Sequence, residues 1–202
     1  RTDIAYDQYG RRDFKTDSFG RVTRYEYDEA GQLGKVTANF TNGGSPQNDD
    51  NQRNIVTQYE YDALGRQVKT TDTLGRVSLS AYDDLGRMTT VTQNYLQGQP
   101  QNYENAGDRF NIVTTYTYDV RGSQIGVTDT ANVKTRTYYD AVGRPVTVVR
   151  NLGGDIADPT PPVRGTPPNP EANLRTDTIY LGNGNVDYVV DELGKTTDYG
   201  YD

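Results

Sequence analysis

Apolar and polar residues alternate along short stretches of this chain, and the alternation breaks about every ten residues. In the stretch 55–61, Ile55, Thr57, Tyr59 and Tyr61 share one face of an extended backbone, while Val56, Gln58 and Glu60 share the other. Segments 21–27, 76–82, 133–139 and 144–152 are equally rich in β-branched and aromatic residues. Between such segments stands Asp-x-x-Gly or a close variant. Asp suits the first position of a type I turn, where its carboxylate accepts local N–H groups. Gly suits the positive φ with which the chain re-enters a strand. Glycine at this frequency also excludes long helices. The pattern predicts an all-β protein, a tandem antiparallel meander of hairpins.

The turns fall into sets. The first holds Asp7 with Gly10, Asp17 with Gly20 and Asp28 with Gly31. The second holds Asp62 with Gly65, Asp72 with Gly75 and Asp83 with Gly86. Asp119 with Gly122, Asp129, and Asp140 with Gly143 form the third. The last has Leu181 in the Asp position, then Asp191 with Gly194, and Asp202. Within each set the spacing is 10 and then 11 residues, and the sets begin 55, 57 and 62 residues apart. This describes one continuous array of long units, at about 1–52, 53–109, 110–174 and a partial 175–202.

Asn39, Asn94 and Asn151 each follow the third Asp by 11 residues and precede an apolar residue (Phe40, Tyr95, Leu152). Polar inserts of unequal length then run over 41–52, 96–109 and 153–174, as surface loops do. Each unit makes three tight turns and one long loop, an even number of reversals. All inserts are therefore expected to project from one edge, beside the turns at Asp17, Asp72, Asp129 and Asp191. The proline-rich stretch 158–170 reads as extended polyproline. Low hydropathy alone would also suit disorder, but disorder requires neither alternating Tyr nor fixed turn spacing.

Only 33% of the residues are apolar, against roughly 45–50% in ordinary domains by a count that includes Gly. With 17 Tyr, one Met and no Trp, a thin sheet with tyrosine ladders is better supplied than a thick core. Tyr25/Tyr27, Tyr59/Tyr61, Tyr116/Tyr118 and Tyr199/Tyr201 lie two apart and share a face; packing is their expected task, with a sugar-binding platform as the rival. The net charge of −7 argues against nucleic acid or an anionic membrane as partner. No run approaches the ~18 apolar residues of a membrane span. A first residue of Arg and no visible signal peptide suggest an internal or processed segment.

Without His or Cys, the usual nucleophile–base pairs and imidazole or thiolate metal sites cannot be built. Asp49–Asp50 and Asp83–Asp84 are sequence neighbours, which point to opposite faces of a strand and make poor acid–base dyads. No enzymatic activity and no cofactor are expected. Asp49 and Asp50, with Asn48 and Asn51, are weak calcium candidates by their oxygen chemistry. Arg11, Arg21, Arg66, Arg76, Arg87 and Arg144 follow turn glycines and are expected to form cross-strand ion pairs with the turn aspartates. Asn39-Phe40-Thr41 is a glycosylation sequon, and the Thr- and Pro-rich insert could carry O-linked sugars.

The recurrent Tyr-Asp-x-x-Gly-Arg, followed by β residues and Tyr-x-Tyr-Asp, resembles the YD-repeat or RHS-repeat family, over almost all of the chain outside the inserts. That family includes bacterial polymorphic toxins, the cocoon component of Tc toxin complexes and teneurin ectodomains. The resemblance implies a β-strip that spirals into a hollow shell, enclosing a C-terminal effector in the toxins. Two departures stand out. No Asp-Pro-x-Gly-x-x-Asp self-cleavage element is present, since Asp158-Pro159 leads into prolines instead. The unit is also more periodic than a cocoon wall requires, which suits an open tube or filament. The expected role is a non-enzymatic extracellular or secreted scaffold. A shell segment around a toxin or other cargo leads, ahead of a glycosylated filament and a teneurin-like adhesion module. Its partners would be neighbouring YD repeats of the same or other chains, an encapsulated effector, or glycans.

Overall fold

A computed structural model describes residues 1–42, 53–99, 109–163 and 171–201. Among these residues there are fifteen strands and no helix, and the chain divides into two units, Arg1–Ile112 and Val113–Asp202. The first carries β1 (Asp3–Tyr6), β2 (Arg12–Thr16), β3 (Val22–Tyr27), β4 (Leu33–Ala38), β5 (Ile55–Tyr61), β6 (Gln67–Thr71), β7 (Val77–Tyr82) and β8 (Met88–Gln93). The second carries β9 (Ile112–Tyr118), β10 (Gln124–Thr128), β11 (Lys134–Tyr139), β12 (Pro145–Arg150), β13 (Leu174–Tyr180), β14 (Val186–Val190) and β15 (Thr196–Asp198). Leu174 is thus strand, one residue inside the boundary drawn for the third insert. Within each unit every strand pairs antiparallel with its sequence neighbour, so the expected meander is the observed topology.

The register assigns two faces. Tyr25 lies opposite Val36, Val36 opposite Thr57, and Tyr59 opposite Thr70, so the tyrosine pairs stand on one face among Val and Thr. The other face of the first unit holds Phe14, Arg24 and Thr37, which lie opposite one another in turn. There Phe14 packs against Phe40 at 5.8 Å between ring centres, with the Arg24 guanidinium over both rings. In the second unit the corresponding face holds Gly126, Arg136 and Val149. A small core forms on it: Val149 is fully buried, Tyr138 and Leu152 nearly so, and Val146 and Ile156 pack against them. Full burial of one Val contributes about 1.5–3 kcal/mol, so this patch is the densest apolar anchor of its unit.

The two edges of each unit are chemically different. One, the tyrosine edge, carries the turns at Asp7, Asp28, Asp62 and Asp83 in the first unit and at Asp119, Asp140 and Leu181 in the second. The other, the insert edge, carries the remaining turns and the roots of the inserts. Thr73, in the Asp72 turn, uses its hydroxyl to accept from Val56 N and to donate to Val56 O, just past the first insert. Thr130, in the Asp129 turn, accepts from Val113 N in the same way. The roots therefore lie where the count of reversals places them.

Residues 153–163 of the third insert do not project from the edge. They lie down on the face of the second unit, with Ile156 against the core and the carbonyls of Thr160 and Pro162 hydrogen-bonded to sheet side chains. The reason is local. Gly126 stands where Phe14, Lys69 and Tyr188 stand in the other units, and Ile156 fills the space that a side chain would need.

Candidate functional site

Each tyrosine-edge turn is a type I turn closed by a residue at positive φ. In the Asp62 turn, Gly65 N donates to Asp62 O and Asp62 N donates to Arg66 O, while Gly65 has φ of 79°. The Asp62 carboxylate then serves three donors: Oδ1 accepts from Leu64 N and Arg66 N, and Oδ2 accepts from Arg66 Nε at 2.7 Å. The same Arg–Asp bond recurs for Arg11–Asp7, Arg21–Asp17, Arg76–Asp72, Arg87–Asp83 and Arg144–Asp140 at 2.6–2.8 Å. The ion pairs expected from the sequence thus form within single hairpins, each Arg pairing with the Asp of its own turn. Asn132 at φ of 62° replaces Gly in the Asp129 turn, consistent with the tolerance of Asn for that conformation. Of the predicted turn positions, Gly10, Gly20, Gly31, Gly65, Gly75, Gly86, Gly122, Gly143 and Gly194 all have positive φ.

These bonds set the acid–base behaviour of the turns. Backbone N–H donation from the Arg four residues on, joined by its side chain, holds Asp17, Asp62, Asp83 and Asp140 below the ordinary 3.8. For Asp7 and Asp72 partial desolvation pushes upward, and the combined hydrogen bonds outweigh it. A carboxyl whose folded pKa is depressed contributes stability that is complete above its unfolded pKa and lost as pH falls through the folded one. The midpoint of thermal unfolding is therefore expected to be flat down to about pH 4 and to drop steeply below it. Asp62→Asn and Asp83→Asn variants should show a shallower drop, and a wild-type midpoint unchanged at pH 2 would contradict the assignment.

The residue before each Asp separates the edges. On the tyrosine edge it is Tyr, and at five of these turns its hydroxyl reaches the preceding tyrosine-edge hairpin. Tyr27 donates to Arg12 O, Tyr61 to Leu33 O, Tyr82 to Gln67 O, Tyr139 to Gln124 O and Tyr180 to Pro145 O, all at 2.8–3.0 Å. Each acceptor is the fifth residue after the Asp of the preceding tyrosine-edge turn. The turn arginine completes the link from the other side: Arg11, Arg66 and Arg144 lie 4.4–4.9 Å over the rings of Tyr27, Tyr82 and Tyr180. Arg66 Nη1 also donates to Asp83 O. Tyr-Asp-x-x-Gly-Arg is therefore a two-part fastener, with Asp closing its own hairpin while Tyr and Arg tie it to the next. The alternation of Tyr-Asp and Thr-Asp carries this signal in the sequence, where the tyrosines read as packing residues with a sugar-binding platform as the rival. Removing one hydroxyl, as in Tyr61→Phe, is expected to cost about 1 kcal/mol by urea denaturation. The insert-edge equivalent Thr71→Val should cost less, and equal losses would argue against an edge-specific tie.

The insert edge has its own fastener. Asn39 and Asn54, Asn94 and Asn111, and Asn151 and Asn173 bracket the three inserts, all at φ of 49–53°. The second Asn donates its backbone N–H to the carbonyl of the first at 2.9–3.1 Å. Its side-chain oxygen accepts from Thr41 N, Leu96 N and Gly153 N respectively, at 2.8–3.0 Å. Asn54 and Asn111 are buried, and Asn111 Nδ2 also donates to Leu96 O and Gln99 O. From the first asparagines, Asn94 Nδ2 donates to Arg109 O and Asn151 Nδ2 to Glu171 O. The clasp seals the sheet at the root of each insert, which frees insert length from the geometry of the strip. The sequon asparagine, Asn39, is one half of such a clasp. Asp49 and Asp50 lie outside the described residues, and among those described no group of three or more acidic side chains is placed to hold a metal ion.

A family model for the RHS Repeat matches residues 6–44, 50–77 and 61–94. No curated protein matches the chain. Among solved structures, a Photorhabdus luminescens Tc holotoxin pore is similar over 98% of this chain at 17% identity, with a TM-score of 0.68. A crystal structure of TcdB2-TccC3-TEV is similar over 93% at 17% identity, with a TM-score of 0.48. The chain spans only 9–10% of the length of these two chains, and the first likeness shows the fold.

Proposed function

We propose that this chain, whose residues 6–44, 50–77 and 61–94 match the RHS Repeat model, works as a segment of the wall of a larger β-shell, which encloses a toxin or other cargo and performs no chemistry itself. One observation carries the reading. Among the described residues all seven register shifts fall in tyrosine-edge hairpins, one per hairpin, and the insert-edge pairings have none. A β-bulge bends its strand and increases local twist. Bulges repeated on one edge favour a strip that curls in a constant sense over one that stays flat. The turn tips suit packing against further turns of such a strip, since Tyr9, Phe19, Leu64, Leu74, Leu85 and Leu193 are 59–83% exposed there.

The direct test is cargo protection in the intact protein. A wall segment predicts that an enclosed polypeptide resists protease until acid or denaturant opens the shell. Digestion of every part of the protein at the same rate would reject containment. A secreted setting follows from the same reading, and fractionation of the producing cells checks it. An extracellular filament remains the second reading, supported by the strict 10- and 11-residue turn spacing.

A further inference from the structure

The strap formed by residues 153–163 is held like a peptide ligand. Its seat is assembled by four strands of the second unit. Lys134 Nζ donates to Gly154 O at 3.1 Å, Tyr138 Oη to Thr160 O at 3.3 Å, and Arg175 Nη1 to Pro162 O at 3.1 Å. Thr147 Oγ1 and Arg175 Nε both donate to Asp177, which fixes the Arg175 guanidinium before it meets the strap. Ile156 is the anchor: it packs on Tyr138, Val149 and Leu152 over the bare backbone of Gly126. The strap keeps its own shape through local bonds, Ala157 N to Asp155 Oδ1 and Thr160 N to Asp158 Oδ1. Pro159, Pro161 and Pro162 stiffen it further.

An aliphatic anchor, a pre-stiffened proline segment, and an aromatic hydroxyl and a guanidinium on alternate carbonyls are the parts of a proline-peptide recognition site. We infer that this face of the second unit is a peptide-binding seat, occupied in cis by its own strap and able to take the same strap from a second copy of the chain. The sequence of the occupant supports this choice of partner. The hole at Gly126 fits the Ile156 side chain, and the strap supplies carbonyls at the spacing of Tyr138 and Arg175. Exchange of an identical element between copies then needs no new contact, only release of one strap and entry of another.

The test begins with the unmodified chain, where nuclear Overhauser contacts are expected between the Ile156 methyl groups and the Gly126 α-protons. Their absence would overturn the seat itself. The synthetic peptide Gly-Gly-Asp-Ile-Ala-Asp-Pro-Thr-Pro-Pro-Val is then titrated into an Ile156→Asp chain. Saturable shifts are expected at the amides of Gly126, Tyr138 and Arg175. In the unmodified chain the tethered strap competes at an effective concentration on the order of millimolar, so the response should be weaker by at least about tenfold. Equal responses in the two chains, or none in Ile156→Asp, would overturn the inference. Finally, Ile156→Asp (seat open, strap disabled) is mixed with Gly126→Val (strap intact, seat blocked). Sedimentation should show association in the mixture that neither variant shows alone, and its absence would overturn exchange between copies.

Discussion

Asn111→Ala is expected to lower the stability of the first unit by about 4–5 kcal/mol. The side chain is buried and makes three hydrogen bonds at the root of the second insert. Each contributes roughly 1 kcal/mol net, and the groups left behind are partly shut off from water. Alanine must also hold a φ of 52°, which costs roughly another 1–2 kcal/mol for a residue with a Cβ and no compensating side-chain bond. Asn111→Asp keeps the acceptor and tolerates the backbone, so it should lie between. Asn173 accepts only from Gly153 N at a more exposed clasp but holds the same positive φ, so Asn173→Ala should cost about half as much. Urea denaturation monitored by circular dichroism measures all three. A loss below about 1 kcal/mol for Asn111→Ala would mean that the clasp does not hold the insert root.

Gly126→Val should separate the strap from the sheet. A Cβ on Gly126 would lie 2.7 Å from Ile156 Cγ1 and closer still to its Cδ1, and 3.4 Å from Thr117 Cβ. The isoleucine must leave, taking with it the carbonyls that Tyr138 and Arg175 hold. The backbone at this site is not at positive φ, and valine is a better strand residue than glycine. The sheet is therefore expected to keep its far-ultraviolet spectrum and its melting midpoint within a few degrees. Cleavage of residues 154–163 by a non-specific protease should rise several-fold, as the partly buried Ile156 loses its packing on Tyr138, Val149 and Leu152. The phenol of Tyr138, pushed up by burial, should move back toward 10.0 as the strap departs. An unchanged cleavage rate would contradict the packing of Ile156.

Much of this was legible in the sequence because the repeat is written in residues with one dominant physical use. Asp and Gly at fixed offsets specify a turn almost without context, and alternation over 55–61 fixes strand and face together. The parity of reversals places the insert roots correctly for the same reason, since it depends on counting alone. What escaped is relational. The donation of Tyr61 to Leu33 O spans 28 residues and joins two hairpins, and nothing local distinguishes it from packing. The near-identical Asn54-Ile55-Val56-Thr57 and Asn111-Ile112-Val113-Thr114 hold the second asparagine of the first two clasps, but its partner lies across an insert of variable length. The strap was missed because its cause is an absence. Gly126 reads as one more glycine until the register shows Phe14 and Lys69 at the same place.

Electron microscopy of the intact native protein decides between the proposed shell wall and a filament. A shell wall gives compact particles of uniform size with an empty or cargo-filled interior, bounded by a single β-layer. Long particles with a regular axial rise would contradict it and make the chain a filament subunit.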